Sequence, residues 1–215
     1  MTHTKWKQDF FAKVPPIAMR DPLASALGAV ENGGVIYYTY TDCVKVAGHA
    51  CASVSSAFQM TKVALKALYG DEIPVRGDVS VRFGGDRTSG ANGPIGQVIQ
   101  FLTGAAIETG FHGLGGNFSR ADNFTYDEEL GETAENGLVA VFSRLDTGKT
   151  VVVHANPSLI PISAEERSGA TFMPKVIAGA ASEEEREKFF AYWQGKNKKI
   201  LLEEHGAFTV ESLDN

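Results

Sequence analysis

A short segment of the chain, residues 42–51, combines four side chains of the kinds that bind divalent transition metals. It contains the carboxylate of Asp42, the thiols of Cys43 and Cys51, and the imidazole of His49. Imidazole, thiolate and carboxylate are the usual ligands of zinc and related ions. We therefore predict a metal site here, with His49 and Cys51 as the first candidates and Asp42 and Cys43 as further ones.

The spacing of His49 and Cys51 restricts how both could bind one ion. Inside a regular helix, two positions rotate the chain by about 200°, which points the two side chains apart. Joint binding therefore requires His49 in a turn that Gly48 permits and Cys51 in the first turn of the next helix, where free N–H groups favour a thiolate. The alternative for Cys51 is an ordinary buried thiol on an apolar helical stripe.

The other two candidates in this segment have structural interpretations of their own. A structural role is favoured for Cys43, and Asp42 is equally suited to capping a helix. A second set of candidates lies in two glycine-rich segments, where backbone can approach a ligand closely. The residues predicted to bind a small-molecule ligand or organic cofactor are Asn92, His112, Gly113 and Gly115. Their alternatives are turn formation for Asn92 and plain solvent exposure for His112.

The periodicity of apolar residues predicts the elements that position these side chains. Apolar residues after Cys51 recur at helical spacing and predict a helix over 49–68, which Gly70 ends. Asp21 and Pro22 form a typical helix start, with the helix reaching about residue 30. Other predicted elements are helices at 5–12, 95–106, 171–180 and from Ser182 onward, strands at 35–40 and 79–83, a helix or turn at 42–48, and a hairpin of 137–144 with 150–154.

These elements predict an α+β fold with a mixed or antiparallel sheet packed against helices. We assign residues 1–165 to the α+β core, including an N-terminal helical extension, and residues 166–215 to a helical C-terminal arm. The arm is expected to pack on the core or on a partner protomer.

Composition excludes several classes of partner. The chain has 215 residues and a net charge of −6, with no basic stripe interleaved with aromatic residues, which argues against nucleic acid. No apolar run is long enough to span a bilayer, and no signal peptide is recognisable, so we expect a cytoplasmic protein without membrane contact. GxSxG, Walker A and Rossmann patterns are also missing from the sequence.

Residues 48–70, GHACASVSSAFQMTKVALKALYG, resemble the signature helix of the FmdE-like family of formylmethanofuran dehydrogenase proteins. The Gly-His-x-Cys pattern is matched by Gly48, His49 and Cys51, and residues 100–106, QFLTGAA, resemble the family's second helix and loop. The resemblance covers residues 35–160. It implies an α+β core paired as a homodimer, with a metal, usually zinc, at the His-x-Cys segment.

The chain departs from the family pattern in ways that reduce the expected site. Ala52 replaces a frequent proline, and Pro94, Gln97 and Ala105 stand where archetypal members have Cys, Asp and Cys. No cysteine follows Cys51, so the C-terminal zinc finger of some relatives is missing from this sequence. We therefore expect one metal centre and no cysteine-rich redox cluster.

Three hypotheses for function follow from these observations. The first is an FmdE-like metal-binding protein whose His/Cys site holds a ligand or cofactor. One alternative is a metal-dependent hydrolase or lyase, in which an open zinc position activates water. The other is a module that binds a tetrapyrrole such as haem, or a pterin. The sequence leaves open whether the protein is an enzyme.

Overall fold

The computed structural model describes residues 3–132 and 137–213 and confirms the predicted α+β fold. Its strands are β1 (Ile17–Arg20), β2 (Val35–Tyr38), β3 (Val79–Gly84), β4 (Phe124–Asp127), β5 (Leu138–Arg144), β6 (Thr150–Ala155) and β7 (Phe208–Ser212). Strands β1 and β2 form an antiparallel pair, and the others form a sheet in the order β4-β3-β5-β6-β7. This sheet is mixed, because β3 pairs with β4 in parallel while its remaining pairs are antiparallel.

Helices pack against this sheet and continue the chain between its strands. They are α1 (Pro22–Ala26), α2 (Tyr40–Ala47), α3 (Ala52–Tyr69), α4 (Asn92–Thr103), α5 (Glu128–Glu132), α6 (Ala164–Ser168), α7 (Met173–Ile177) and α8 (Glu183–Leu202). Short 3₁₀ helices occur at Asp9–Lys13, Pro157–Leu159 and Gly169–Phe172. No helix among the described residues has both the length and the apolar character needed to cross a bilayer.

Helix α3 lies at the centre of the packing, as its apolar stripe predicts. It contacts β5, β6 and β7 of the sheet and also helices α4 and α8. Phe58 and Leu65 on α3 are buried, and each such side chain contributes about 1.5–3 kcal/mol relative to exposure. A buried hydrogen bond of 2.8 Å joins the Tyr40 and Ser55 hydroxyls and fixes α2 against α3.

The predicted hairpin is confirmed, with β5 and β6 paired from Leu138↔Ala155 to Ser143↔Thr150. Gly148 has a φ of +75° in its turn, a conformation that glycine adopts without steric cost. Strand β7 was not predicted, because most of its residues face solvent and offer no apolar pattern. It nevertheless pairs with β6, so the C-terminal segment adds a strand to the main sheet.

Several predicted boundaries are wrong. The predicted helix at 5–12 is a 3₁₀ helix over Asp9–Lys13, and the helix capped by Asp21 ends at Ala26. The strand predicted to reach residue 40 stops at Tyr38, because Thr39 caps α2 through a capping box. Helix α4 starts and ends three residues earlier than predicted and stops at Gly104, whose φ is +76°.

The long C-terminal helix begins as its sequence predicts. Ser182 accepts a hydrogen bond from the Glu185 N–H, and the Glu185 carboxylate accepts one from the Ser182 N–H. Phe189 and Ile200 are buried against the rest of the protein. The Trp193 indole N–H donates a 2.8 Å hydrogen bond to the Ala50 carbonyl, so α8 contacts the segment between α2 and α3.

Candidate functional site

The turn between α2 and α3 holds the two main candidate metal ligands. Gly48 ends α2 with a φ of +75°, which redirects the chain. His49 lies in this turn, as expected, and Cys51 lies one residue before α3, as its N-cap, with φ −146° and ψ 172°. Neither side chain is therefore on a regular helix, and the unfavourable rotation of two helical positions does not apply to the pair.

The His49 ring is exposed and oriented by its own backbone. Its Nδ1 lies 2.9 Å from the Ala47 carbonyl oxygen. Because a carbonyl can only accept, Nδ1 carries the hydrogen, and Nε2 keeps a free lone pair in the neutral ring. Metal-binding histidines commonly have one ring nitrogen fixed in this way while the other binds the ion.

Cys51 is a free, buried cysteine with 9% of its surface exposed, and it belongs to the same hydrophobic core as Cys43. Its side chain makes no capping hydrogen bond to the N–H groups of α3, although its carbonyl accepts the Ser55 N–H at 2.9 Å. The thiol is thus left without a structural hydrogen bond at the start of an 18-residue helix. Next to it, Ala52 borders a cavity of about 100 Å³ formed with Tyr192, Trp193 and Lys196 of α8.

The carboxylate of Asp42 is occupied by structural contacts. One oxygen accepts the Thr39 N–H at 3.0 Å and the Thr39 hydroxyl at 2.7 Å, and the other accepts the Lys45 ammonium at 3.1 Å. Burial by itself would raise the pKa of Asp42, but the hydrogen bonds from Thr39 and the Lys45 charge hold it below its ordinary value. The structure therefore gives Asp42 the helix-capping role that was its alternative.

Cys43 is fully buried within the hydrophobic core. Burial, reinforced by the neighbouring Asp42 charge, raises the pKa of the Cys43 thiol to about 12. A thiol with this pKa stays protonated at neutral pH, whereas metal binding requires the thiolate. Across residues 3–132 and 137–213, no group of three or more His, Cys, Asp or Glu side chains is positioned to hold a metal ion. Of the four predicted donors, His49 and Cys51 are the two that the structure does not assign to a capping role or to a thiol of strongly raised pKa.

The residues predicted for cofactor binding lie in separate places. Asn92 begins α4 and donates a 2.8 Å hydrogen bond to the Asp86 carbonyl, and it borders a cavity of about 360 Å³ with Gly84 and Gly131. His112, Gly113 and Gly115 lie outside the lining of that cavity.

The loop that carries His112 is shaped by its own backbone contacts. His112 is exposed, and the residues after it fold back on themselves through paired hydrogen bonds of 2.9 Å between Leu114 and Asn117. A Cβ on Gly113 would lie 2.3 Å from the Asn117 carbonyl oxygen, so the close packing of this turn already explains that glycine. Gly115 has a φ of +56° and open space around it.

A third feature was not predicted, a cleft of about 520 Å³ that we name the arginine cleft. Its lining comprises Leu23, Val46, Arg76, Gln97, Gln100, Phe101, Gly104, Ala105, Ala106, Phe111 and Arg120. Gln97 and Ala105 contribute an amide and a methyl group to this lining. The two arginines come from segments without helical or strand periodicity, and no local pattern in the sequence indicates that they meet.

Comparisons with known proteins identified no relative of this chain. No family model matches the chain, and neither curated proteins nor solved structures gave a match.

Proposed function

We propose that this chain is an FmdE-like metal-binding protein in which His49 Nε2 and Cys51 Sγ bind one divalent transition metal ion. Zinc is the first expectation, because it accepts both imidazole and thiolate ligands. The observation that carries the proposal is the hydrogen bond of the His49 ring. Its Nδ1 is bound to the Ala47 carbonyl, which leaves the Nε2 lone pair to bind a metal ion.

The position of Cys51 supports the same proposal. Its thiol lies at the start of α3 without a capping hydrogen bond, so no capping contact competes with a metal ion for the sulfur. Two protein donors fill only part of a tetrahedral zinc shell. The remaining positions would be open to water, to a small-molecule ligand or to a donor from a second copy of the chain.

The direct test is elemental analysis of the protein purified after growth with supplemented zinc. We expect about one ion per chain in the wild type and a loss of most of it in His49→Ala and in Cys51→Ala. His112→Ala is the matched control, because His112 is also an exposed histidine on a loop and should leave the metal content unchanged. A wild-type protein without stoichiometric metal would refute the proposal.

A second readout separates ligand loss from misfolding. Cobalt substituted for zinc should give a thiolate-to-cobalt charge-transfer absorption band that Cys51→Ser removes and Cys43→Ser retains. Circular dichroism of the same samples monitors the fold. Disappearance of the band in the Cys43 variant alone would reassign the ligand to the buried thiol.

We further propose that the protein is a homodimer. The proposal rests on the family resemblance and on apolar side chains that the single chain leaves exposed, such as Leu159 at 60% and Ile177 at 77%. Sedimentation equilibrium at micromolar concentration provides the test, and a monomeric mass would contradict it. Sedimentation with and without zinc would show whether the second copy completes the metal shell.

A further inference from the structure

The arginine cleft has a cationic end built from three distant parts of the chain. Arg76 Nη1 donates to one Asp21 oxygen at 3.0 Å, and Arg120 Nη2 donates to the other at 2.8 Å. The side chains of Asp21 and Arg120 are only 6% and 8% exposed, and that of Arg76 is 21% exposed. Two guanidinium groups therefore share one carboxylate at a site that is largely shielded from solvent.

The charge of this cluster is not balanced. Within residues 3–132 and 137–213, Asp21 is the only carboxylate in ion-pair distance of either guanidinium. One positive charge is left over, and an uncompensated buried charge is costly. A bound anion would offset this cost.

One donor of the cluster also lacks a partner. Arg120 Nη1 is buried and makes no hydrogen bond to any described residue. Gly104 packs directly against it, because a Cβ added at Gly104 would lie 2.2 Å from Nη1. A Cβ added at Gly77 would likewise lie 2.3 Å from the same guanidinium. Both glycines have positive φ values, +76° and +87°, which other residues rarely adopt. The backbone is thus shaped to fit closely around a guanidinium whose hydrogen-bonding capacity is unfilled.

The rest of the cleft suits an organic molecule more than an inorganic ion. Leu23, Val46, Phe101 and Phe111 give it apolar walls. The Gln100 side-chain oxygen accepts the Ile107 N–H at 3.3 Å, which leaves its amide N–H groups to donate to a ligand. A volume of about 520 Å³ lies in the range of small-molecule sites, which typically combine apolar walls with a few fixed polar groups.

We propose that the arginine cleft binds a small organic carboxylate, with the carboxylate at Arg76 and Arg120 and the apolar body against Leu23, Phe101 and Phe111. A single negative charge matches the single uncompensated positive charge. Arg76 Nε and Nη2 already donate to the Phe101 carbonyl at 3.2 and 2.8 Å, so Arg76 contributes its positive charge and Arg120 Nη1 contributes the free N–H donor. Because Nη1 is shielded from solvent by the Gly104 segment, direct contact with the carboxylate would require that segment to shift. This site is distinct from the His49 and Cys51 donors, and the proposal does not depend on metal binding.

Isothermal titration calorimetry of the full chain at neutral pH tests the proposal with three probes. Benzoate supplies the carboxylate and an apolar ring, benzamide is its neutral counterpart, and inorganic phosphate is an anion without an apolar body. We expect benzoate to bind once per chain and at least about tenfold more tightly than either of the others. Phosphate binding more tightly than benzoate would overturn the assignment to an organic carboxylate.

Two variants locate the binding. Gln97→Glu places a negative charge on an exposed residue of the cleft and should weaken benzoate binding by about tenfold, whereas the matched Gln97→Met should not. Arg120→Gln removes the excess charge while leaving Asp21 paired with Arg76, and should abolish measurable binding. Because Gln97 is exposed, its variants keep the test valid even if the Arg120 variant fails to fold.

The proposal fails if Gln97→Glu binds benzoate as tightly as the wild type, or if millimolar benzoate gives no heat of binding. It also fails if a crystal grown with benzoate shows only an ordered water at Arg120 Nη1. A water in that place would satisfy the donor without any ligand.

Discussion

Replacing Asp21 with asparagine should destabilise the protein by about 3–5 kcal/mol at neutral pH, the usual cost of removing one partner from a buried ion pair. The Asp21 carboxylate accepts hydrogen bonds from the Leu23 and Ala24 N–H groups and from both arginines. An asparagine amide has one accepting oxygen, and its NH₂ group would face a guanidinium donor. The buried Arg120 and the partly buried Arg76 would then be left without a counter-charge.

Asparagine is the informative substitution because it preserves the other role of Asp21. Its side-chain oxygen can still cap α1, since asparagine and aspartate are similarly good N-caps. Asp21→Ala removes the cap as well and should lose about 1 kcal/mol more than Asp21→Asn. The difference between the two variants therefore measures the cap, and Asp21→Asn alone measures the charge cluster.

The charge contribution should depend on pH with a defined sign. Burial alone would raise the pKa of Asp21, but the Ala24 N–H and the charges of Arg120 and Arg76 hold it below the ordinary value. A lowered folded-state pKa stabilises the protein above the unfolded-state pKa, and this contribution is lost as pH falls through the folded-state value. The gap between wild type and Asp21→Asn should be constant from neutral pH down to about pH 4 and narrow progressively below it.

Urea unfolding followed by tryptophan fluorescence gives these free energies, with the midpoint and slope fitted separately. The double variant Asp21→Asn/Arg120→Gln should recover part of the loss, because it removes one of the two uncompensated cations. A loss below about 1 kcal/mol in Asp21→Asn, or a gap of the same size at acidic as at neutral pH, would refute the description of a buried, charge-dependent cluster.

Two further predictions concern the packing around the same sites. Gly104→Ala should destabilise the protein more than Gly148→Ala, because the new Cβ at residue 104 would lie 2.2 Å from Arg120 Nη1. Gly148 has a similar φ of +75° but open space around it, so its alanine variant should lose only about 1–2 kcal/mol. Equal losses of unfolding free energy in urea titrations would contradict this. In the Cys51→Ser variant, Cys43 is the remaining thiol; it is buried, and its pKa is raised to about 12. Iodoacetamide at pH 8 should therefore alkylate Cys43 only after the protein unfolds. Alkylation of the native protein, detected by mass spectrometry, would refute this.

Local signals in the sequence were sufficient for the elements that bury a continuous apolar face. The stripe after Cys51 predicted α3 to within a few residues, and the turn at Asp146-Thr147-Gly148 predicted the β5–β6 hairpin. Strands β1, β4 and β7 were missed. They are only four or five residues long, which is too short for a clear pattern of apolar residues. Each is stabilised by pairing with another strand, which the local sequence does not reveal.

At the candidate sites, too, the sequence predicted local contacts but not contacts between residues far apart in the chain. The local part of the prediction for Asp21, a helix cap, is confirmed. Its pairing with arginines 55 and 99 positions further along the chain was not predictable, because neither arginine lies on a periodic element. Conversely, Asp42 and Cys43 looked equivalent to His49 and Cys51 in ligand type. Only burial and hydrogen bonding show that Asp42 belongs to a capping box and that Cys43 is a protonated core thiol.

The double role of Asp21 connects the arginine cleft to the order of the N-terminal region. Helix α1 has five residues, too few to be stable alone. Its start is fixed by a carboxylate that is itself held by Arg76, before β3, and by Arg120, before β4. The position of α1, and with it the Leu23 wall of the cleft, therefore depends on the charge cluster. An anion that neutralised the excess charge would stabilise the cluster and α1 together. Ligand binding should therefore slow amide hydrogen exchange at Ala24 and Ser25 even though the ligand's carboxylate contacts neither residue.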